Sequence, residues 1–309
     1  MPLNSRHRGI LWWCFLPLLS GCGGSETGQG SVGPEPQAKP VGRPALFAEA
    51  ARELGVDFVH FNGMTGELYF VENMGSGVAV LDFDGDGDLD LFFVQGALLD
   101  PAKGLEGAAI LTPPKLPLVD RLYRNEGPGT DGRPRFADVT KGSGIEEGEY
   151  GMGVATGDFD GDGAVDLYVT NFGPNRLWRN RGDGTFEDVT KRAGVDDARW
   201  STAATFFDFD RDGWLDLFVG NYVDFRVEDA TPCRAESGLQ DYCSPEAYPP
   251  LTDRLWRNRG DGTFEEVTEE AGMGEQPGKA LGAIAADFDG DGWLDIAATG
   301  VDGVSVLLN

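Results

Sequence analysis

Residues Asp82-Phe-Asp84-Gly-Asp86-Gly-Asp88-Leu-Asp90 form an acidic nonapeptide that recurs three more times along the chain. The later copies are Asp158-Phe-Asp160-Gly-Asp162-Gly-Ala164-Val-Asp166, Asp208-Phe-Asp210-Arg-Asp212-Gly-Trp214-Leu-Asp216 and Asp287-Phe-Asp289-Gly-Asp291-Gly-Trp293-Leu-Asp295. Carboxylates at positions 1, 3, 5 and 9 suit a hard cation that prefers oxygen ligands, and the glycine at position 6 permits a sharp turn. Position 7 would offer its backbone carbonyl. The pattern therefore predicts about four bound Ca²⁺ ions, one in each nonapeptide.

The nonapeptide differs from an EF-hand loop, which needs a bidentate glutamate at position 12 and flanking helices. Position 12 is apolar here, and each loop runs into a strand-like segment such as Leu91-Phe-Phe-Val94. We therefore expect a short β-hairpin connection that the aspartate at position 9 closes. The alternative is an acidic turn without an ion, which the mutual repulsion of so many carboxylates disfavours. Arg211 replaces a glycine in the third loop and predicts a lower affinity there.

Apolar residues within the loops are predicted to point inward and anchor them. They occupy position 2 (Phe83, Phe159, Phe209, Phe288) and position 8 (Leu89, Val165, Leu215, Leu294).

Each nonapeptide belongs to a longer repeat. A segment of small apolar residues precedes it, and a second motif follows: Asp120-Arg-Leu-Tyr-Arg-Asn125, Asn175-Arg-Leu-Trp-Arg-Asn180 and Asp253-Arg-Leu-Trp-Arg-Asn258. A Gly/Asp-rich turn then leads into Phe136, Phe186 or Phe264, each of which begins a further strand-like segment. Four short strands per repeat, joined by tight turns, predict an all-β propeller of four-stranded antiparallel blades. Trp178 and Trp256 are predicted to lie between blades.

The ends of the repeat region bear on the number of blades. Phe47 and Val56 have the spacing of a last blade strand, so residues 46–50 are predicted to supply one isolated strand. Asn309 follows Asp295 at the spacing of Asn180 from Asp166. Because propellers close by exchanging strands between chain ends, four repeats predict either a fragment or a partial propeller, and we favour the fragment.

Two repeats carry insertions between their predicted second and third strands. They span residues 96–118 and 224–250. In an antiparallel meander these connections lie at the end opposite the acidic loops. Because binding functions concentrate in long loops on rigid scaffolds, this end is the predicted recognition surface.

The N-terminal residues predict export. Arg6 and Arg8 precede the apolar residues 10–19, and Leu19-Ser-Gly-Cys22 matches a bacterial lipobox. We therefore predict a lipoprotein signal peptide at residues 1–21, lipidation of Cys22, and a flexible Gly/Pro-rich tether at residues 22–45 before the propeller at 46–309. A plain cleaved secretion signal is the alternative. Either places the protein outside the cytoplasm, in the lipid-anchored case at the bacterial cell envelope, on the periplasmic or outer surface.

Cysteine usage agrees with export. Cys233 and Cys243 lie in the second insertion, and we predict a local disulfide between them. A metal or redox pair is the weaker alternative.

Charge and composition exclude several functions. The formal net charge is −27, and no basic stripe suggests nucleic-acid binding. His60 is the single histidine after the signal peptide, which disfavours histidine-based catalysis and zinc sites; we expect it in a strand. The Arg-Gly-Asp tripeptides at Arg181 and Arg259 are interpreted as repeat turns. No catalytic constellation is found, so we predict no enzyme, catalytic residue or organic cofactor.

Together these motifs resemble FG-GAP/VCBS repeats, the units of the integrin α-subunit propeller, and residues 47–309 are similar to the bacterial cartilage acidic protein group. The resemblance implies an extracytoplasmic calcium-loaded propeller that binds proteins or carbohydrate. Members of that group carry more blades and a C-terminal ASPIC/UnbV domain, which are not found here. We predict a protein- or glycan-binding adhesion module whose only link to the membrane is its lipid. A polysaccharide lyase or hydrolase and a scaffold domain are the alternatives.

Overall fold

Short antiparallel sheets, one for each nonapeptide, recur along the described part of the chain in this computed structural model. It describes residues 46–100, 104–109, 114–146, 148–274, 278–301 and 303–309. The signal peptide, Cys22 and tether predicted above lie outside these residues. The chain divides into two units, Met1–Ala48 and Glu49–Asn309, and all the sheets belong to the second.

The sheets, which we call blades 1 to 4, follow the chain in order. Blade 1 contains β1 (Val78–Leu81), β2 (Asp90–Phe93), β3 (Arg121–Pro128) and β4 (Pro134–Asp138). Blade 2 contains β5 (Gly151–Gly157), β6 (Asp166–Asn171), β7 (Arg176–Asn180) and β8 (Phe186–Asp188). Blade 3 contains β9 (Ser201–Phe207), β10 (Asp216–Asn221), β13 (Arg254–Asn258) and β14 (Phe264–Glu266), and its insertion forms the hairpin β11 (Cys233–Arg234) and β12 (Gln240–Asp241). Blade 4 has three described strands, β15 (Ala280–Ala286), β16 (Asp295–Gly300) and β17 (Gly303–Leu307).

In the part of the chain that the structure describes, helical structure is confined to single turns. The helical turns are α1 (Ala51–Leu54) and α2 (Thr190–Ala193), and 3₁₀ turns occupy Phe70–Asn73, Leu105–Gly107, Val227–Asp229 and Pro245–Ala247. Within the described residues, no helix has the length and apolar character needed to cross a membrane. The sequence-based prediction of an all-β fold with four-stranded antiparallel blades is confirmed, and the arrangement is that of a partial propeller.

The first strands of successive blades approach each other too closely for large side chains. A Cβ added to Gly153 in β5 would lie 2.5 Å from the backbone oxygen of Thr202 in β9. A Cβ added to Gly77, just before β1, would lie 2.9 Å from the Cα of Gly153. This close approach explains why small residues precede each acidic loop.

Apolar side chains fill the spaces between consecutive blades. Phe92 and Leu122 of blade 1 pack with Leu167 and Trp178 of blade 2. The next two interfaces repeat the arrangement; buried members include Tyr168, Leu177, Leu217 and Trp256 between blades 2 and 3, and Phe218, Leu255, Ile296 and Ala298 between blades 3 and 4. Trp178 and Trp256 therefore lie between blades, as predicted.

The loop anchors reach neighbouring blades, so the terminal repeats differ. Phe83 stacks on Phe186 of the following blade, with ring centroids 6.3 Å apart. Phe288 in blade 4 has no such partner among the described residues and is 45% exposed. Leu89 at position 8 of blade 1 is likewise 58% exposed, because this position packs toward the preceding blade. The prediction of inward anchors is wrong for these two residues.

Two further strand predictions are wrong. Residues 46–50 have no regular secondary structure, and the helical turn α1 follows them. An isolated strand has no neighbour to satisfy its backbone, which is the physical reason for the difference. His60 also lies outside the strands, in an irregular segment.

Candidate metal centres

Each acidic nonapeptide is the connection between the first two strands of a blade. The residue before the loop pairs with the aspartate at position 9: Leu81 with Asp90, Gly157 with Asp166, Phe207 with Asp216 and Ala286 with Asp295. The loops are therefore hairpin connections, as the sequence indicated.

The aspartate at position 1 organises the loop backbone. We number the nonapeptides loops 1 to 4 after their blades. In loop 1, the Asp82 carboxylate accepts hydrogen bonds from the N–H groups of Gly85, Asp86 and Gly87 at 2.8–3.1 Å. The aspartate at position 5 accepts the N–H of position 7, for example from Ala164 to Asp162 at 2.9 Å. These bonds fold each loop around its carboxylates.

The aspartate at position 9 is buried and joins three parts of a blade. One Asp166 oxygen accepts the N–H of Phe159 in the loop at 3.0 Å, and the other accepts the N–H of Asn180 at the end of β7 at 2.7 Å. Asp90, Asp216 and Asp295 make the equivalent pairs of bonds. This residue therefore holds the blade together, besides any part it takes in binding metal.

Three carboxylates converge in every loop, with candidate ligand oxygens within 4.8 Å of one another. The groups are Asp82, Asp84 and Asp86; Asp158, Asp160 and Asp166; Asp208, Asp210 and Asp216; and Asp287, Asp289 and Asp291. Position 9 joins the group in loops 2 and 3, and position 5 joins it in loops 1 and 4. The predicted ligands Asp88, Asp90, Asp162, Asp212 and Asp295 lie in the loops but outside these groups.

Buried carboxylate oxygens without a partner show that loops 1, 2 and 3 suit a cation. Asp84 Oδ1, Asp160 Oδ1 and Asp208 Oδ1 are inaccessible to solvent and have no hydrogen-bond donor. An unsatisfied buried carboxylate oxygen is costly, and a hard cation with oxygen ligands would remove that cost. The residues present therefore fit Ca²⁺.

Burial also raises the pKa of the Asp90, Asp166 and Asp216 carboxyl groups at position 9. The pKa of Asp166 and of Asp216 rises from 3.8 to about 7, and that of Asp90 also rises, because desolvation disfavours the charged form. Neighbouring loop aspartates add to the increase. A bound cation would oppose this shift by stabilising the ionised form.

Position 7 makes loop-to-loop contacts that the sequence analysis missed, since it considered only the backbone carbonyl there. The Trp214 ring covers Gly161 at position 4 of the preceding loop, where an added Cβ would meet it at 3.0 Å. Arg211, at position 4 of loop 3, likewise stacks 4.1 Å from the ring centroid of Trp293 in loop 4. Ala164 is too short for this contact, so tryptophan at position 7 is the sequence signal for it.

A second set of missed residues links neighbouring blades. Asn180 Nδ2 donates to the backbone oxygen of Phe83 in blade 1 at 2.8 Å. Asn258 makes the same bond to Phe159 at 2.8 Å, and Asn309 to Phe209. The recurrence of asparagine at the end of the Arg-Leu-Trp-Arg-Asn motif was the available signal.

The insertions lie at the opposite end of the blades, since they connect the second and third strands. Cys233 and Cys243 form a disulfide there. The disulfide hairpin docks on residues 67–72, because Gln240 donates to the Glu67 backbone oxygen at 3.0 Å and Tyr242 to Glu72 at 3.3 Å.

Aromatic residues cluster at this end. Ring centroids of Phe70 and Tyr248 lie 5.2 Å apart, and those of Trp200 and Tyr222 lie 5.1 Å apart. A neighbouring cavity of about 370 Å³ is lined by residues that include Phe172, Trp200, Phe225, Arg226 and Glu228. We call this end of the blades, which includes the disulfide hairpin, the aromatic cluster and the cavity, the insertion face.

The remaining candidates have structural roles. Arg181 and Arg259 begin the turns between the last two strands of their blades and donate to Thr185 and Thr263 at 2.9 and 3.0 Å. These contacts agree with the repeat-turn interpretation. His60 is partly buried, which lowers its pKa.

Comparison with known proteins supports the repeat assignment. The model of the FG-GAP-like repeat matches residues 118–169, 158–219 and 238–298. No curated protein matches the chain. Among solved structures, the chain is similar to a lectin from Agrocybe aegerita described as recognising non-reducing terminal N-acetylglucosamine. The identity is 18%, the TM-score is 0.38, and the match covers 76% of this chain but only 50% of the lectin chain. Because the repeat match spans more than half of the residues, the chain belongs to the FG-GAP repeat family.

Proposed function

We propose that this chain is an exported, lipid-anchored, calcium-binding propeller that acts as a protein- or glycan-binding adhesion module. The calcium assignment rests on one observation: Asp84, Asp160 and Asp208 each have a buried carboxylate oxygen without a hydrogen-bond partner. Calcium would supply the positive charge that allows these carboxylates to converge. The aspartates at position 1 shape the loops, and those at position 9 fix them to their blades.

The insertion face is the surface that we propose for recognition. Its aromatic cluster and cavity lie at the end of the blades opposite the acidic loops. A concave site with aromatic walls and a few polar groups suits a ligand that combines apolar and hydrogen-bonding surface. Arg226, whose side chain is 68% exposed, supplies one of the polar groups. A rigid calcium-loaded scaffold would present these loops in a fixed arrangement.

Binding to a glycan panel tests this assignment. Calcium-loaded protein is expected to retain one class of glycan and to release neither reducing ends nor unsaturated uronates. Arg226→Ala should weaken binding at least fivefold, because it removes charged hydrogen-bond donors from the cavity rim. Arg259→Ala, in an exposed turn at the other end, is the matched control and should bind like the wild type.

Two results would count against this function. Release of sugar products would favour the polysaccharide-active enzyme, and binding unaffected by Arg226→Ala would remove the insertion face from consideration. If the whole panel fails to bind while a protein partner does, the adhesion role narrows to proteins.

Anchoring through Cys22 is a separate part of the proposal. Expression of the full chain in a bacterium should place it in the membrane fraction, and Cys22→Ser should release it to the soluble exported fraction, because a lipid-modified cysteine supplies the attachment. Cys14→Ser, within the predicted signal peptide, provides the control for loss of a thiol and should leave the protein in the membrane fraction. Membrane association that survives Cys22→Ser would contradict lipid anchoring.

A further inference from the structure

An arginine from the third strand of blade 2 lies directly on its acidic loop. Arg179 Nε donates to Asp160 Oδ2, and Arg179 Nη2 lies 2.6 Å from Asp162 Oδ2. These aspartates occupy positions 3 and 5 of the loop. The guanidinium therefore holds two carboxylates that the proposed function assigns to calcium.

The four repeats differ in this contact. Arg257 of blade 3 pairs with Asp210 at 3.3 Å, which repeats the arrangement at position 3. Arg124, at the same place in blade 1, turns instead to Glu126, with bonds of 2.6 and 2.8 Å. Blade 4 has Leu308 there. An arginine from the third strand therefore pairs with the carboxylates of loops 2 and 3, whereas the residue at the same motif position does not pair with loop 1 or loop 4.

The guanidinium and a calcium ion would share the same carboxylate. Arg179 takes Asp160 Oδ2, while Asp160 Oδ1 remains buried without a partner. Calcium bound to Oδ1 would therefore lie close to a fixed positive charge. In the absence of calcium, the arginine offsets part of the repulsion among the loop carboxylates.

The arginine could also favour calcium by fixing the orientation of Asp160. Partly exposed ion pairs contribute little to ordering side chains. Repulsion between a guanidinium and a divalent ion that share a partly buried carboxylate is larger, since it scales with both charges and falls only as the inverse of distance. The charge effect therefore outweighs the ordering effect.

We propose that Arg179 and Arg257 act as internal cations that stabilise loops 2 and 3 without calcium and weaken calcium binding by these loops. This inference rests on the proposed calcium function. It divides the loops into two classes, and loops 1 and 4 are expected to fill at lower calcium concentrations. Removing the arginine charge should convert a loop from the weak class to the tight class.

Calcium titration of Arg179→Gln by calorimetry tests the inference. Glutamine keeps hydrogen-bonding capacity but removes the charge. One of the weaker sites should bind calcium about tenfold more tightly, and the melting temperature in excess chelator should fall below that of the wild type. Arg124→Gln is the matched control, because it removes the same motif residue from a repeat in which it does not contact the loop. It should change neither quantity.

The outcomes separate the inference from the function on which it rests. A wild-type chain that takes up no calcium would overturn the calcium assignment and the inference with it. A wild type that binds calcium, with unchanged or weaker binding by Arg179→Gln, would overturn the inference alone. Arg257→Gln provides an independent second measurement, with the same expected direction in loop 3.

Discussion

Excess chelator is expected to lower the melting temperature of this protein by tens of degrees. Each site contributes about 2.7 kcal/mol when free calcium is one hundred times its Kd. Four sites would then contribute about 11 kcal/mol, which corresponds to roughly 20–40 °C for a chain of this size. The effect is large because carboxylates converge in all four loops and the chain carries a net charge of −27. Differential scanning calorimetry with and without chelator measures it.

The pH dependence of stability in chelator provides an internal control for the predicted effect of calcium. Burial raises the pKa of Asp166 and Asp216 from 3.8 to about 7, so the folded chain without metal binds more protons than the unfolded chain between about pH 4 and 7. Stability in chelator should therefore fall as pH rises through this window. Calcium keeps the carboxylates ionised, so the difference between loaded and chelated protein should widen from pH 5 to pH 8.

One result would contradict this prediction. If excess chelator leaves the melting curve unchanged at pH 8, calcium has no structural role in this protein. Readdition of calcium, but not of an equal concentration of sodium, should restore the original curve.

The fold was predictable because its signal is repeated. The alternation of small segments, acidic turns and Arg-Leu-Trp-Arg-Asn strands places β5, β6, β7 and β8 in order, and the same pattern recurs in blade 3. The position of both insertions followed from the same register. The burial predictions were wrong where the burial of a side chain depends on a neighbouring blade, as at Leu89 and Phe288. Periodicity within one repeat does not say whether a further repeat covers its faces.

The candidate metal centres were predictable in their residue types but only partly in their contacts. The sequence indicated that Asp158, Asp160 and Asp166 converge, and the structure brings them together. It did not indicate that Arg179 would bind the loop while Arg124 would turn to Glu126. Both arginines occupy the same motif position, so their difference depends on which carboxylate lies within reach in the folded chain.

The aspartate at position 9 is expected to be required for stability even when calcium is absent. Asp166→Asn leaves a single acceptor oxygen where two are needed, because the carboxylate accepts the N–H groups of Phe159 and Asn180 on different oxygens. The amide NH₂ would face one of these donors. Leaving a buried donor unsatisfied in this way costs about 2–4 kcal/mol, or roughly 5–15 °C in melting temperature. The measurement is thermal unfolding in excess chelator.

Asp162→Asn in the same loop distinguishes this structural role from metal binding. Asp162 is exposed, and its Oδ1 accepts the N–H of Ala164, a bond that an amide oxygen can keep. In chelator this variant should melt within about 2 °C of the wild type, because it removes a repelling loop charge and a partly exposed ion pair with Arg179, two effects that largely offset each other, and no buried donor loses its acceptor. In calcium it should lose affinity, since loop charge sets the strength of binding. If both variants were equally stable in chelator, the bonds from Asp166 to its loop and to β7 would be a consequence of metal binding, and position 9 would serve the ion alone.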